Sequence, residues 1–72
     1  MKDIRKLYGE RLKAFRKKKG LSQADLGFKS SLHRTYISEV ERGRRNISIL
    51  NIAKIAKALD SNIKEFFDFK SE

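Results

Sequence analysis

The chain has 72 residues, of which 38% are charged, and its formal net charge is +9 at pH 7. This length predicts one domain that spans residues 1–72. The sequence contains no cysteine, which excludes disulfides, thiolate zinc sites and thiol catalysis and is compatible with an intracellular location. No apolar run approaches the ~20 residues that a transmembrane helix needs, and the N-terminus lacks the apolar segment of a signal peptide.

The positive charge is concentrated at the N-terminus, where residues 1–20 contain nine Lys or Arg against two acids. A basic chain of this size is expected to bind a polyanion. Charge alone does not exclude the alternative, which is a merely solubilising face.

An amphipathic helix is predicted from about Ile4 to Lys19, and Gly20 supplies a left-handed stop. Its apolar stripe has three- and four-residue spacing and consists of Ile4, Leu7, Tyr8, Leu12 and Phe15. Gly9 interrupts the pattern, so we expect the first turns to fray or to form separately. A basic amphipathic helix can also bind a membrane surface, but so small a domain needs this apolar face for its core.

Residues 22–43 predict two short helices that are joined by a tight turn at Ser30, Ser31 and Leu32. The first helix begins at Ser22, which forms a capping box with Asp25. Gly27 has no side chain, so we expect another helix to approach it closely, with Ile37 and Val40 placed against it. The alternative is that Gly27 is simply tolerated at some cost in helix propensity.

The second helix of this pair has two different faces. Leu32, Ile37 and Val40 form the apolar side, and the outer side consists of Arg34, Thr35, Tyr36, Ser38 and Glu39. An arginine can bind guanine through two hydrogen bonds, a threonine can contact a thymine methyl, and a helix N-terminus favours phosphate. An ordinary solvated face is the alternative, and the helix-turn-helix context favours the major groove of DNA.

Three segments carry a family resemblance: RLKAFRKKKGLSQADL, ISEVERG and ISILNIAKIAKAL. Through them, residues 9–67 resemble the lambda-repressor-like family of phage repressors and XRE-type helix-turn-helix proteins. Within this family, the run SSLHRTYISEVERGRRNIS is similar to the controller proteins of restriction–modification systems. Ser31 stands where the family usually has glycine, and His33 stands where Ser or Asp usually caps the second helix.

The resemblance implies an all-α, five-helix DNA-binding domain with its helix-turn-helix at helices 2 and 3. It implies a cytoplasmic, nucleoid-associated regulator, bacterial or phage-encoded, that binds a specific duplex sequence and controls transcription. The expected base-reading residues are Arg34, Thr35, Tyr36 and Glu39. The expected contacts to phosphate or the minor groove are Gln23, His33, Ser38, Arg42, Arg44, Arg45 and Asn46. For Arg44, Arg45 and Asn46, which follow Gly43 in a loop, a hydrated basic loop is the alternative.

Two residues are expected to act structurally rather than on DNA. Arg16 matches a family arginine, and we expect it to form an ion pair with Glu41, which should face inward beside Val40. His33 is the only histidine, so a metal site is not expected. A helix cap or a phosphate contact is the more plausible role for His33, although histidine is a weak capping residue.

The fourth helix is predicted to start at a Ser48 cap and to run to Leu59, and Asn62 and Glu65 form the capping box of a short fifth helix. The inward stripe of the fourth helix is expected to comprise Ile49, Ile52, Ala53, Ala56 and Leu59, with Ile55 flanking it.

Apolar side chains that a monomer does not need for its core often mark an interface. We therefore expect a symmetric homodimer through residues of about 47–70, with Leu50, Ile63, Phe67 and Phe69 as interface candidates. A two-fold dimer would place its recognition helices about 34 Å apart and would require an inverted-repeat site. In the alternative, the phenylalanines merely complete the core.

No Ser-His-Asp set, phosphate-binding glycine loop or zinc-ligand group can be assembled, so neither catalysis nor a cofactor or small-molecule ligand is expected. The expected partners are double-stranded DNA and a second copy of the chain, with RNA polymerase as a further candidate and no membrane. Other hypotheses are a phage-type or general XRE repressor, the antitoxin of a toxin–antitoxin pair, and non-specific RNA binding by the N-terminal helix. Whether the chain activates or represses depends on the position of its operator.

Overall fold

The computed structural model describes residues 3–69, which form four α-helices and one short 3-10 helix. In chain order these are α1 (Ile4–Lys18), α2 (Gln23–Ser30), α3 (Arg34–Glu41), α4 (Ile49–Ala58) and the 3-10 helix (Ile63–Phe67). The predicted all-α class is confirmed, but the fifth element is a 3-10 helix rather than an α-helix. Its start is fixed as predicted, since the Asn62 N–H donates to the Glu65 carboxylate over 2.9 Å. Within residues 3–69, no helix is long and apolar enough to cross a membrane.

Every helix contributes to one hydrophobic core around Phe66. The buried apolar residues are Tyr8, Leu12, Leu26, Ile37, Val40, Ile55, Ala56, Leu59 and Phe66. The Phe66 ring lies edge-on to Phe15, with 4.7 Å between the ring centroids, and 6.0 Å from the ring of Tyr8. Phe66 therefore completes the core, whereas its neighbour Phe67 stays partly exposed.

Helix α1 runs without a break through Gly9, so the predicted interruption is wrong. Gly9 is buried, and a Cβ atom there would lie 2.5 Å from the carbonyl oxygen of Val40 and 2.6 Å from that of Glu41. The missing side chain thus lets α1 pack directly on the C-terminal backbone of α3.

The turn between α2 and α3 also depends on a close backbone approach. A Cβ atom at Gly27 would lie 2.6 Å from the Leu32 carbonyl oxygen and 3.2 Å from the Arg34 nitrogen. The close approach at Gly27 is therefore confirmed, and the nearest atoms belong to the turn and to Arg34, the first residue of α3. Ser31 adopts a left-handed conformation with φ 61°, and the Leu32 N–H donates to the Gly27 carbonyl over 2.9 Å.

Helix α4 begins at the predicted Ser48 cap, whose hydroxyl accepts from the Asn51 N–H over 3.1 Å. Its buried residues are Ile55 and Ala56, followed by Leu59 at the C-cap. The assignment of Ile49 to the inward stripe is wrong, since this side chain is 81% exposed. Ile49 is the first residue of α4 and lies a turn ahead of the stripe that starts at Ile52, and Ile55 takes the core position instead.

Candidate nucleic-acid interface

Helix α3 presents its N-terminal turn to solvent and buries its opposite side. Arg34 and Thr35 are exposed, and Ile37 and Val40 are fully buried. His33 caps the helix, because its Nδ1 accepts from the Thr35 N–H over 3.1 Å. This confirms the predicted cap. The free N–H groups and the partial positive charge of a helix N-terminus thus lie beside an exposed guanidinium group.

A buried hydrogen-bond network holds α3 in this orientation. Arg16 donates from Nε to Glu41 Oε2 over 2.6 Å and from Nη2 to Glu41 Oε1 over 3.0 Å. Its Nη1 donates to the Leu21 carbonyl over 2.8 Å, and Gln23 Nε2 donates to Glu41 Oε1 over 3.0 Å. The hydrogen bond to Glu41 raises the pKa of Arg16. The predicted ion pair is confirmed, and the network joins α1, the start of α2 and the end of α3.

A second network lies on the outer side of α3. Arg45 donates from Nε to Glu39 Oε1 over 2.7 Å, and its Cζ lies 5.2 Å from the centroid of the Tyr36 ring. Tyr36 accepts a hydrogen bond at its hydroxyl from Asn51 Nδ2 over 3.1 Å. The hydrogen bond from Arg45 lowers the pKa of Glu39. The structure therefore brings together three predicted site residues from α3 and the following loop.

Asn51 belongs to this second network and was missed in the sequence. It lies 15 residues after Tyr36 on a helix that the sequence assigned to dimerisation. No local pattern links the two positions, since their contact depends on the loop between α3 and α4 and on the packing of both helices on α2.

The remaining predicted phosphate contacts occupy different places. Exposed Arg42 and Arg44 line a groove of about 450 Å³ together with Lys6 and Glu10 of α1. His33 and Arg34 line another groove, where the Phe28 ring is 89% exposed. Asn46 is exposed and Ser38 is partly buried, whereas Gln23 directs its amide inward to Glu41.

The predicted interface residues are exposed to different degrees. Leu50, Ile63 and Phe67 are exposed, and Ile49 is the most exposed apolar side chain of α4. Phe69 is partly buried, packs against the core and lies 5.9 Å from Phe67 between ring centroids. Across residues 3–69, no three His, Asp or Glu side chains are grouped so that they could hold a metal ion.

Residues 12–66 match the model of the helix-turn-helix family. The chain therefore belongs to the helix-turn-helix family, a class of DNA-binding transcriptional regulators, in agreement with the fold and with the exposed start of α3.

Restriction–modification controller proteins are among its relatives, which confirms the resemblance seen in the sequence. The chain is 48% identical to control protein C.BamHI of Bacillus amyloliquefaciens over 68 residues, which cover 93% of this chain and 84% of that protein. It is 41% identical to control protein C.MunI of Mycoplasma sp over 68 residues, 93% of this chain and 92% of that protein. The crystal structure of the controller protein C.AhdI from Aeromonas hydrophila superposes with a TM-score of 0.88 at 48% identity, covering 89% of this chain and 97% of that one.

Proposed function

We propose that this protein is a restriction–modification controller that binds a specific duplex DNA sequence as a homodimer and regulates transcription from an inverted-repeat operator. The observation that carries the proposal is the exposed pair Arg34 and Thr35 at the start of a helix whose other end is fixed by the Arg16–Glu41–Gln23 network. The similarity to proteins named as restriction–modification controllers supports the proposal that the regulated genes belong to a restriction–modification system.

The exposed residues of α3 divide by chemistry into base readers and phosphate contacts. Arg34 can donate two parallel hydrogen bonds to a guanine, and Thr35 can contact a thymine methyl or exchange a hydrogen bond. Glu39 uses Oε1 for Arg45, so its second carboxylate oxygen can accept from a cytosine amino group. Tyr36 is the fourth proposed reader.

Positive and polar groups around α3 would fix the position of the domain on the DNA backbone. The proposed phosphate or minor-groove contacts are Gln23, His33, Ser38, Arg42, Arg44, Arg45 and Asn46, with Lys6 added by its place in the same groove as Arg42 and Arg44. In this arrangement Gln23 both braces Glu41 and lies at the first turn of α2.

The proposed homodimer uses the exposed apolar residues of α4 and the 3-10 helix, namely Leu50, Ile63 and Phe67. Phe69 adjoins them through its ring contact with Phe67, and Ile49 precedes Leu50 in the chain. Large apolar side chains that stay exposed on a small domain are candidates for an interface. A two-fold axis there would present the two recognition helices to successive major grooves, about 34 Å apart.

Selection of bound duplexes from a random DNA pool, at about physiological salt, tests the proposed function because non-specific phosphate binding weakens there. We expect an inverted repeat to be recovered. A single half-site would contradict the dimer, and recovery of no preferred sequence would contradict specific recognition.

The interface is tested separately by the mass of the protein in solution. Leu50→Lys places a charge in the proposed interface, where burying it without a partner is costly, and should convert a dimer into a monomer. The matched control is Phe28→Lys, since Phe28 is more exposed and lies on α2 outside the interface. An unchanged mass for Leu50→Lys, or equal dissociation of both variants, would contradict the assignment.

A further inference from the structure

We propose that Asn51 is a positioning residue for DNA recognition, which holds the Tyr36 hydroxyl so that its hydrogen is directed at an acceptor on the DNA. This inference rests on the proposed function and adds to it a residue outside the helix-turn-helix. It assigns α4 a second role besides the proposed dimerisation, because Asn51 follows the interface candidate Leu50 in the chain.

The direction of one hydrogen bond carries the inference. Asn51 Nδ2 donates to the Tyr36 hydroxyl oxygen over 3.1 Å. A tyrosine hydroxyl can donate one hydrogen bond and can also accept. Since the amide hydrogen of Asn51 occupies an acceptor position on the oxygen, the hydroxyl hydrogen must point elsewhere. Tyr36 is thereby prepared as a donor, and the major-groove edges of guanine, adenine and thymine all offer acceptors.

The same contact fixes the place of the Tyr36 ring. Asn51 itself is held at the first turn of α4, because its backbone N–H donates to the Ser48 hydroxyl. On the ring face, the Arg45 guanidinium lies 5.2 Å from the centroid and is bound in turn to Glu39. Three proposed DNA contacts are thus ordered before DNA binds, which reduces the conformational entropy that binding must remove.

Four proteins in a double-mutant cycle test the coupling: the wild type, Asn51→Ala, Tyr36→Phe and the double variant. We expect each single change to weaken binding to the selected operator about threefold to tenfold, the size of one neutral hydrogen bond. The double variant should bind no more weakly than Tyr36→Phe alone, since Asn51 acts through the hydroxyl. Binding to a scrambled duplex should stay within about twofold of wild type in all four.

Asn51→Asp separates positioning from a purely structural contact. A carboxylate cannot donate, so it would accept the Tyr36 hydroxyl hydrogen and remove it from the DNA. An acid in the first turn of a helix is favourable, so the thermal midpoint should not fall. We therefore expect Asn51→Asp to bind the operator more weakly than Asn51→Ala. The same change combined with Tyr36→Phe measures the part of this loss that is due to negative charge alone.

A spectroscopic readout without DNA tests the contact itself. In the free protein, the NMR signals of the Asn51 side-chain amide should shift on Tyr36→Phe, and unmoved signals would overturn the proposal.

Operator affinity equal to wild type for Asn51→Ala or Asn51→Asp would also overturn the proposal. The same holds if Asn51→Ala lowers operator affinity by the same factor in the wild type and in Tyr36→Phe. These results would leave the proposed function standing. A wild-type protein that prefers no duplex would instead overturn the proposed function and this role together, even if the amide signals shift.

Discussion

The two sides of α3 carry the same chemical pair in different surroundings. Glu41 and Glu39 each accept from an arginine Nε, over 2.6 Å and 2.7 Å respectively. The Glu41 and Arg16 side chains are 2% and 9% exposed, whereas those of Glu39 and Arg45 are 32% and 50% exposed. Charges interact more strongly where water is excluded, but removing one partner there leaves an uncompensated charge. The inner pair therefore holds the helix in the domain, and the outer pair remains available to a ligand.

The largest expected effect comes from breaking the inner pair. Glu41→Ala leaves the Arg16 guanidinium buried without its carboxylate and removes the acceptor of Gln23, so we expect a loss of about 3–5 kcal/mol in the free energy of unfolding. Urea denaturation at neutral pH measures it. Glu39→Ala is the matched control, and its effect should be much smaller because surface pairs contribute little. Equal losses of unfolding free energy in the two variants would show that burial does not make the inner pair more important for stability than the outer pair.

The next effect concerns the backbone contact of the inner side. Gly9→Ala would place its Cβ atom within 2.6 Å of two carbonyl oxygens of α3. The helices would have to separate, and we expect a loss of about 1–3 kcal/mol in unfolding free energy, as for overpacking in a core.

Ala14→Gly on the same helix is the control. Ala14 is exposed, so its replacement changes only helix propensity, at about 1 kcal/mol, and causes no steric collision. An unfolding free energy of Gly9→Ala equal to that of wild type would contradict the close packing of α1 on α3 at this position.

On the outer side, Arg34→Ala should change DNA binding rather than stability. The side chain is exposed, so we expect an unchanged thermal midpoint, a loss of about 1–3 kcal/mol in operator binding and relaxed preference at one base pair. Arg42→Ala is the control for a phosphate contact and should weaken binding to all duplexes alike. An equal loss on every sequence for Arg34→Ala would assign this residue to phosphate as well.

The sequence predicted the inner side well, because that side depends on local patterns. The capping box of Ser22 and Asp25 and the burial of Ile37 and Val40 follow from spacing and residue type, and the structure has all of them. The pair of Arg16 and Glu41 was expected from the family resemblance, and its two hydrogen bonds confirm it.

Long-range packing could not be predicted in the same way. Gly9 was misread as a weak point of α1, because only the crossing of α1 over α3 shows that a side chain would collide there. Ile49 fitted the helical period and is nevertheless exposed, since period does not tell where the neighbouring helices end. On the outer side, the pairing of Glu39 with Arg45 and of Tyr36 with Asn51 depends on the path of the loop that connects α3 and α4.

The smallest expected effect is the pH dependence of the outer pair. The hydrogen bond from Arg45 lowers the pKa of Glu39 from its ordinary value of 4.5 in the folded protein. The pair therefore contributes its full stability above the unfolded pKa and loses it as the pH falls through the lowered folded pKa.

Unfolding free energies of wild type and Glu39→Gln, measured from neutral to acidic pH, should differ slightly near neutrality and converge in acid. At about 1 M salt the difference should shrink at every pH, because an exposed pair is screened. A difference that grows as the pH falls would contradict this origin. Because this pair contributes so little, Arg45 can exchange the Glu39 carboxylate for a DNA phosphate at little cost, whereas the inner pair cannot open without unfolding the domain around it.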